Sequence, residues 1–366
     1  MSPGQPSPRD LSIEPAAAAD AEIGHVHANP GSRYTVADIE RLFDDARALR
    51  VLVVGEAIID HYVYCETMGK AGKEPILAAR YISEEKFVGG ILAVANHVAA
   101  ISDHVTLQTV LGSEDSHEEF IRERLNESID SAFLTMPGAP TILKRRFIEL
   151  YPLQKLFEIY VASHPTAEWQ VSSLLRETLE ENLPSFDVVI VADYGHGMID
   201  DEVVRVLCEG ARFLAINTQM NAENRGFNTV SKYSRADYVS VSETEIRLEA
   251  RSRQRDLREI VADVAERLSC AGILVTRGAR GCLYFDREQG FVDLPALTTH
   301  VVDRVGAGDA VLAVTALCAA QGAPPELIGL IGNAVGAQAV GAVGNSAAFD
   351  PAALLRGFAA LQHDGA

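Results

Sequence analysis

The run at residues 50–56, RVLVVGE, is apolar on both of its faces and stops at a glycine. A strand with no polar side cannot lie on a surface, so it belongs inside a parallel sheet covered by helices on both faces. Similar runs recur at 105–111, 188–192, 213–216, 238–241 and 273–276. Stretches with helical spacing separate them, at 91–101, 117–125, 167–183, 202–208 and 257–268. This alternation predicts an α/β domain with a mostly parallel central sheet between two helical layers. Ligands of such sheets bind beyond the carboxyl ends of the strands. Ahead of the first strand, residues 35–49 carry Val36, Ile39, Leu42 and Phe43 at helical spacing behind a Thr35–Asp38 capping pattern, which predicts one more helix. An apolar content of 48% over 366 residues supplies a large core.

Two pairs of segments interrupt the alternation. Residues 62–68 and 76–87 follow the first strand with no helix between them, and residues 143–150 and 155–160 form a second such pair. Residues 1–32 are rich in Pro, Ala, Ser and Gly, hold few large apolar side chains, and are expected to be a disordered tail before a domain at 33–366. The net charge of −19 argues against a nucleic-acid partner, which needs a basic face. No apolar run reaches the roughly eighteen residues of a membrane span. No basic region precedes an apolar core near the N-terminus, so a secretory leader is not expected and the cytoplasm is the default. The five cysteines, at 65, 208, 270, 282 and 318, are scattered and lack a CxxC spacing, as expected of reduced core residues. Arginines 247, 251, 253, 255 and 258 alternate with acids and predict a solvated, internally paired helical surface.

Chemistry concentrates in Val301-Val302-Asp303-Arg304-Val305-Gly306-Ala307-Gly308-Asp309-Ala310, read as a short apolar strand that breaks at two glycines and enters an apolar helix over 307–320. Glycines let the backbone approach an anion, and the helix N-terminus directs free N–H groups and its positive dipole end at the same place. Phosphate would repel a carboxylate there unless the carboxylate has a task, and removing a proton from an attacking hydroxyl is such a task. A tight turn with an Asp near the helix start is the alternative.

The decamer resembles the second signature of the ribokinase-like, or PfkB, carbohydrate kinases, close to Asp-Thr-x-Gly-Ala-Gly-Asp. The resemblance implies a ribokinase-like three-layer α/β sandwich with a small β-sheet lid, here at about 62–87 and 143–160. It implies Asp309 as catalytic base and the Gly306, Ala307 and Gly308 amides as an anion hole for the γ-phosphate of ATP. Arg304 stands where the family has Thr. The likeness extends over about residues 50–358 and is strongest to the kinase half of the bifunctional heptose 7-phosphate kinase/adenylyltransferases. The segments that carry it are Gly55 to Tyr62, Lys73 to Ile76, Phe87 to Gly90, Pro140 to Lys144, Gln154 to Glu158 and Ala192 to Gly197.

On the sugar side the resemblance implies Asp60, Gly89, Gly90, Lys144 and Asp193 as substrate-binding residues, Lys144 serving a phosphate already on the sugar, with an exposed strand lysine of no specific role as the alternative. Asp60 also reads as a cap of the turn into the lid. Relatives place an Asn where this chain has Ala93, and Asn96, one helical turn on, is the candidate replacement. On the nucleotide side it implies Thr276, Gly278, Gly281 and Asn333 around ATP, with Gly344-Asn345-Ser346 shaping the adenine site. Glu245 would organise Mg²⁺, although Ser242 replaces the family's Asn. Heptose-type relatives read Asp-Pro-Lys where this chain reads Asn217-Thr218-Gln219, so two charges facing the phosphates have become amides. No His-x-Gly-His motif follows, so nucleotidyl transfer is not expected.

The expected function is ATP- and Mg²⁺-dependent phosphorylation of a sugar or sugar phosphate, in first place a heptose 7-phosphate at its anomeric hydroxyl. A kinase for a pentose or ketohexose, and a non-catalytic binder of sugar phosphate or nucleotide, remain the alternatives. A homodimer closed across the lid would cover exposed strand edges.

Overall fold

A computed structural model describes residues 33–162, 171–298 and 300–363. The expected tail at 1–32 and the start of the expected helix at 167–183 lie outside the described residues.

In chain order the strands are β1 (Arg50–Gly55), β2 (Ala57–Lys70), β3 (Leu77–Gly90), β4 (His104–Glu114), β5 (Ile129–Pro140), β6 (Ile142–Glu149), β7 (Gln154–Val161), β8 (Val188–Asp193), β9 (Leu214–Thr218), β10 (Tyr238–Ser242), β11 (Gly272–Thr276), β12 (Cys282–Asp286) and β13 (Gly290–Leu294). Nine form one sheet in the order β13-β12-β11-β10-β9-β8-β1-β4-β5, parallel from β11 to β5 and antiparallel at the β12 and β13 edge. The remaining four form a second sheet, β3-β2-β6-β7. Both interrupting pairs are therefore strands of one small sheet, with β2, β3 and β7 longer than their apolar runs suggested.

The helices are α1 (Val36–Ala46), α2 (Ile91–Ala99), α3 (Glu118–Arg124), α4 (Ser172–Asn182), α5 (Asp201–Gly210), α6 (Glu243–Glu249), α7 (Leu257–Arg267), α8 (Ala307–Ala320), α9 (Pro325–Val340) and α10 (Pro351–His363). Strand β1 shows why they must lie on both sides. Val51 and Val53 enter one core with residues of α1, α2, α8, α9 and α10, while Leu52 and Val54 enter another with α4, α5, α6 and α7. Period-two alternation sends neighbouring side chains to opposite faces, so an all-apolar strand needs two covers. Chain connections run one way from β1 to β4 and the other way from β8 to β9. The crevice beyond the carboxyl ends of β1 and β8 is thus the switch point at which such sheets bind ligands.

Two expectations need correction. Residues 301–304 are not a strand: the Val302 and Asp303 N–H groups both donate to the single Val340 carbonyl at the end of α9, which leaves no ladder to join. The arginine run is helical only at its two ends, because α6 ends at Glu249 and α7 begins at Leu257, which leaves Arg251, Arg253 and Arg255 between them. The expected pairing holds locally: within α6 Arg247 meets Glu243 at 2.9 Å, and Arg255, just ahead of α7, meets Glu259 at 3.3 Å. Among the described residues no helix is long and apolar enough to cross a membrane.

Candidate active site

The first turn of α8 forms the centre of the crevice. Gly306 caps it at φ 80°, and a Cβ there would fall 1.7 Å from Asn345 Oδ1, so only glycine fits the conformation and the space. A Cβ on Gly308 would meet nothing within 4 Å, which leaves the ground before this turn open. Among the described residues the N–H groups of 306–309 have no acceptor and no side chain caps the helix. Four free donors at a helix N-terminus favour an anion.

Asp309 stands on this turn, 7% exposed. Its Oδ1 accepts from the Tyr194 hydroxyl at 2.8 Å and from Gln219 Nε2 at 2.7 Å. Burial pushes the carboxyl up to about 7, with the Asp60 charge adding to the rise and the two hydrogen bonds and Lys144 opposing it. A carboxyl poised near neutrality suits a general base.

Facing this turn is the inner face of the small sheet. Its register sets Asp60 against Lys144, Tyr62 against Arg146, Lys144 against Tyr160 and Arg146 against Glu158, all on one side of the pleat. Arg146 forms ion pairs with Asp60 and, at 3.3 Å, with Glu158. Gly89 is needed beside Asp60, since a Cβ would lie 2.3 Å from its Oδ2. Gly90, at φ 57°, turns the chain into α2. Lys144 is buried, with its ammonium 5.1 Å from the Tyr160 ring centre and 5.9 Å from that of Tyr194. It has no hydrogen bond or ion pair among the described residues, and burial pulls its pKa down. His196, close by, is driven to about 3 by burial and by Lys144, and so is neutral.

Asp303 ties this wall to the loop. It accepts from Tyr62 on β2 and Lys155 on β7, each at 2.5 Å, from the Arg304 and Val305 N–H groups, and from the Gly344 N–H at 3.0 Å. Those donors hold its carboxyl below the usual range against burial.

Several expected ligands are engaged elsewhere. Asp193 is fully buried and meets Lys232 at 2.7 Å, the Tyr233 hydroxyl at 3.0 Å and the Gly195 N–H, so it anchors the chain after β9 instead of facing a sugar. Asn96 lies around the helix from Ala93; its amide donates to the Arg124 carbonyl and accepts from the Asn126 N–H, so both ends of the side chain are engaged there. Gly281 answers a packing need, as its Cβ would stand 2.0 Å from the Leu294 carbonyl oxygen. Asn333 donates to the Pro295 carbonyl at 2.8 Å and braces the same segment. Asn345 belongs to the sugar side, with Nδ2 3.4 Å from Asp60. Thr276 and Gly278, the latter at φ 58° with open space before it, stay at the β11 end. Glu245 closes a capping box with Ser242 and accepts from the Met220 N–H, which occupies both oxygens once. Glu56, which follows β1 and has no local motif to mark it, accepts from the Tyr194 and His196 N–H groups, and burial with the Asp193 charge pushes it up to about 7. Arg146 was legible, because it shares a strand face with Lys144 two positions away.

A family model described as pfkB family carbohydrate kinase matches residues 48–352. The chain belongs to the pfkB family of carbohydrate kinases. That family is one of sugar kinases, phosphotransferases with an alcohol acceptor. Among curated proteins this pfkB kinase is 26% identical over 309 residues to the bifunctional protein HldE of Campylobacter jejuni subsp. doylei, a match covering 82% of this chain and 63% of that one. It is 28% identical over 304 residues to HldE of Koribacter versatilis, covering 81% and 60%. It thus spans about three fifths of the length of these relatives. Among solved structures, Arabidopsis thaliana ribokinase complexed with ribose and ATP matches with a TM-score of 0.65 at 19% identity, covering 85% of this chain and 99% of that one. Escherichia coli phosphofructokinase-2 in complex with potassium matches with a TM-score of 0.67 at 15% identity, covering 86% and 99%. These two establish the ribokinase-like fold.

Proposed function

We propose that this pfkB kinase transfers the γ-phosphoryl group of ATP to a hydroxyl of an anionic sugar, most closely a heptose 7-phosphate at its anomeric position. The observation that carries the reading is Asp309, buried on a helix turn whose four N–H groups lack acceptors among the described residues. Asp309 takes the proton of the acceptor hydroxyl, the oxygen attacks the phosphorus, and the amides of Gly306, Ala307 and Gly308 receive the charge that develops on the phosphoryl oxygens. Asp60, with Gly89 and Gly90 behind it, orients the sugar. Lys144, a buried cation with no hydrogen bond or close ion pair among the described residues, suits a phosphate on the acceptor. Thr276 and Gly278 line the nucleotide side. Among the described residues no group of three or more acidic, His or Cys side chains could hold a metal, so a Mg²⁺ here would be carried by the ATP phosphates and water, with Glu245 as the candidate protein contact. When bound, the ion would neutralise phosphate charge. The five free, buried cysteines suit a reducing compartment. Exposed Tyr81, Phe157 and Ile159 on the small sheet suit a dimer closed there, testable by light scattering.

The test is incubation with Mg·ATP and a panel of free and phosphorylated sugars, including a manno-heptose 7-phosphate, followed by mass spectrometry beside Asp309→Asn. A gain of one phosphate on the heptose phosphate, lost in the variant, is expected. Transfer to a different sugar would overturn the substrate. ATP binding with no transfer to any sugar would favour a binding protein.

A further inference from the structure

The two donors to Asp309 converge on the same oxygen. Tyr194 follows β8 and Gln219 follows β9, and each directs its donor at Oδ1, at 2.8 Å and 2.7 Å, while Oδ2 has no hydrogen bond among the described residues. The donors are themselves braced. The Tyr194 N–H is bound by Glu56, and the Tyr194 carbonyl accepts from the side chains of Asn221 and Asn224. The Gln219 N–H donates to the Asp193 carbonyl, and its own carbonyl accepts from Asn224. A carboxylate gripped at one oxygen by two fixed donors cannot rotate freely about its χ2 bond, so the other oxygen keeps one direction.

We propose that Gln219 and Tyr194 are positioning residues that hold Asp309 by Oδ1 and thereby make Oδ2 the oxygen that takes the acceptor's proton. The inference rests on the reading of Asp309 as base. In the step, the hydroxyl proton passes to Oδ2 as the hydroxyl oxygen bonds to the γ-phosphorus, and the bond from that phosphorus to the ADP oxygen breaks. Gln219 does this without charge. The charged and titratable groups that face Asp309 are Tyr194 beyond β8, Asp60 on β2 and Lys144 on β6, so the amide at 219 leaves Lys144 as the cation that opposes the effects of burial and Asp60. A lysine at 219 would bring a second cation to within hydrogen-bond reach of Oδ1.

The experiment is a carboxyl ¹³C NMR titration of the full chain without ligand, the Asp309 signal being assigned by its loss in Asp309→Asn. Gln219→Lys is expected to lower the Asp309 midpoint by about 1–3 pH units, the range for a cation brought beside a carboxylate. Gln219→Leu is expected to raise it, having removed a hydrogen bond to the ionised form. With Mg·ATP and the acceptor from the sugar panel, the acid limb of the kcat profile should move with each midpoint. Tyr194→Phe combined with Gln219→Leu should cut kcat by about 10–100-fold, as for loss of alignment, with KM retained. Midpoints and acid limbs unchanged in both Gln219 variants would overturn the proposal. Full transfer by Asp309→Asn would instead overturn the base itself, an outcome the titration arm separates from failure of the positioning.

Discussion

Gly306 and Gly308 sit two residues apart on the same loop and should respond to alanine in opposite ways. At Gly306 the φ of 80° places alanine in the left-handed region, at about 1–2 kcal/mol. The new Cβ would lie 1.7 Å from Asn345 Oδ1, so Asn345 must move and its contact with Asp60 is lost, adding about 1 kcal/mol. Gly306→Ala should therefore lose about 2–3 kcal/mol of stability. Gly308 has helical geometry and nothing within 4 Å of its would-be Cβ, so alanine there should gain about 0.5–1 kcal/mol by restricting the unfolded chain. That same methyl group would project into the space where the proposed function puts a phosphoryl group against the amides, and a misplacement of about 1 Å costs on the order of 100-fold in rate. Urea unfolding and steady-state kinetics on both variants check this. A Gly308→Ala enzyme that is more stable and as active as the parent would refute the placing of the phosphate at these amides.

Stability should fall as pH rises from about 4 to about 7, because the folded Asp309 carboxyl, near 7, holds its proton more tightly than the unfolded one, near 3.8. The drop attributable to this group is up to about 4 kcal/mol, and Asp309→Asn, which keeps an acceptor for both donors, should remove that part of the slope in unfolding curves at about pH 5 and about pH 8. Lys144→Met should raise KM at least about tenfold for a phosphorylated acceptor and leave KM for its unphosphorylated counterpart within about twofold, since loss of a charge-assisted contact costs at least about 1.5 kcal/mol. Asn96→Ala should cost about 1–2 kcal/mol of stability in urea and leave both Michaelis constants unchanged, because it loses only the braces on residues 124–126.

The fold was legible where burial is two-sided. An uninterrupted apolar run such as 188–192 has few alternatives to a central strand, and the glycines of the α8 loop mark its start because the turn demands a positive φ at Gly306. What stayed hidden was partnership across the chain. Asp193 has the local look of a strand-end ligand, but Lys232 and Tyr233, distant in sequence and without periodicity, consume it. Asn96 shares helical spacing with Ala93, yet a displacement of three residues rotates a side chain about 60° around the axis, enough to turn it to a different neighbour. The Gln219 contact joins positions 90 residues apart, and the change to an amide is visible in the sequence while its target is not.

The Asp303 carboxylate has a mechanical consequence. Donors from two strands of the small sheet and from the approach to the α8 turn meet on one side chain, so swinging the sheet's inner end away from the crevice means parting Tyr62 and Lys155 from the same group that shapes residues 304 and 305. Motion that admits a sugar is thus cheapest in the outer half of the sheet, where residues 66–70 of β2 are exposed and β3 buries little. Opening there would work like a flap bending along its length and not like a door on a hinge, and under the proposed function it would let substrates exchange while the α8 turn keeps its shape.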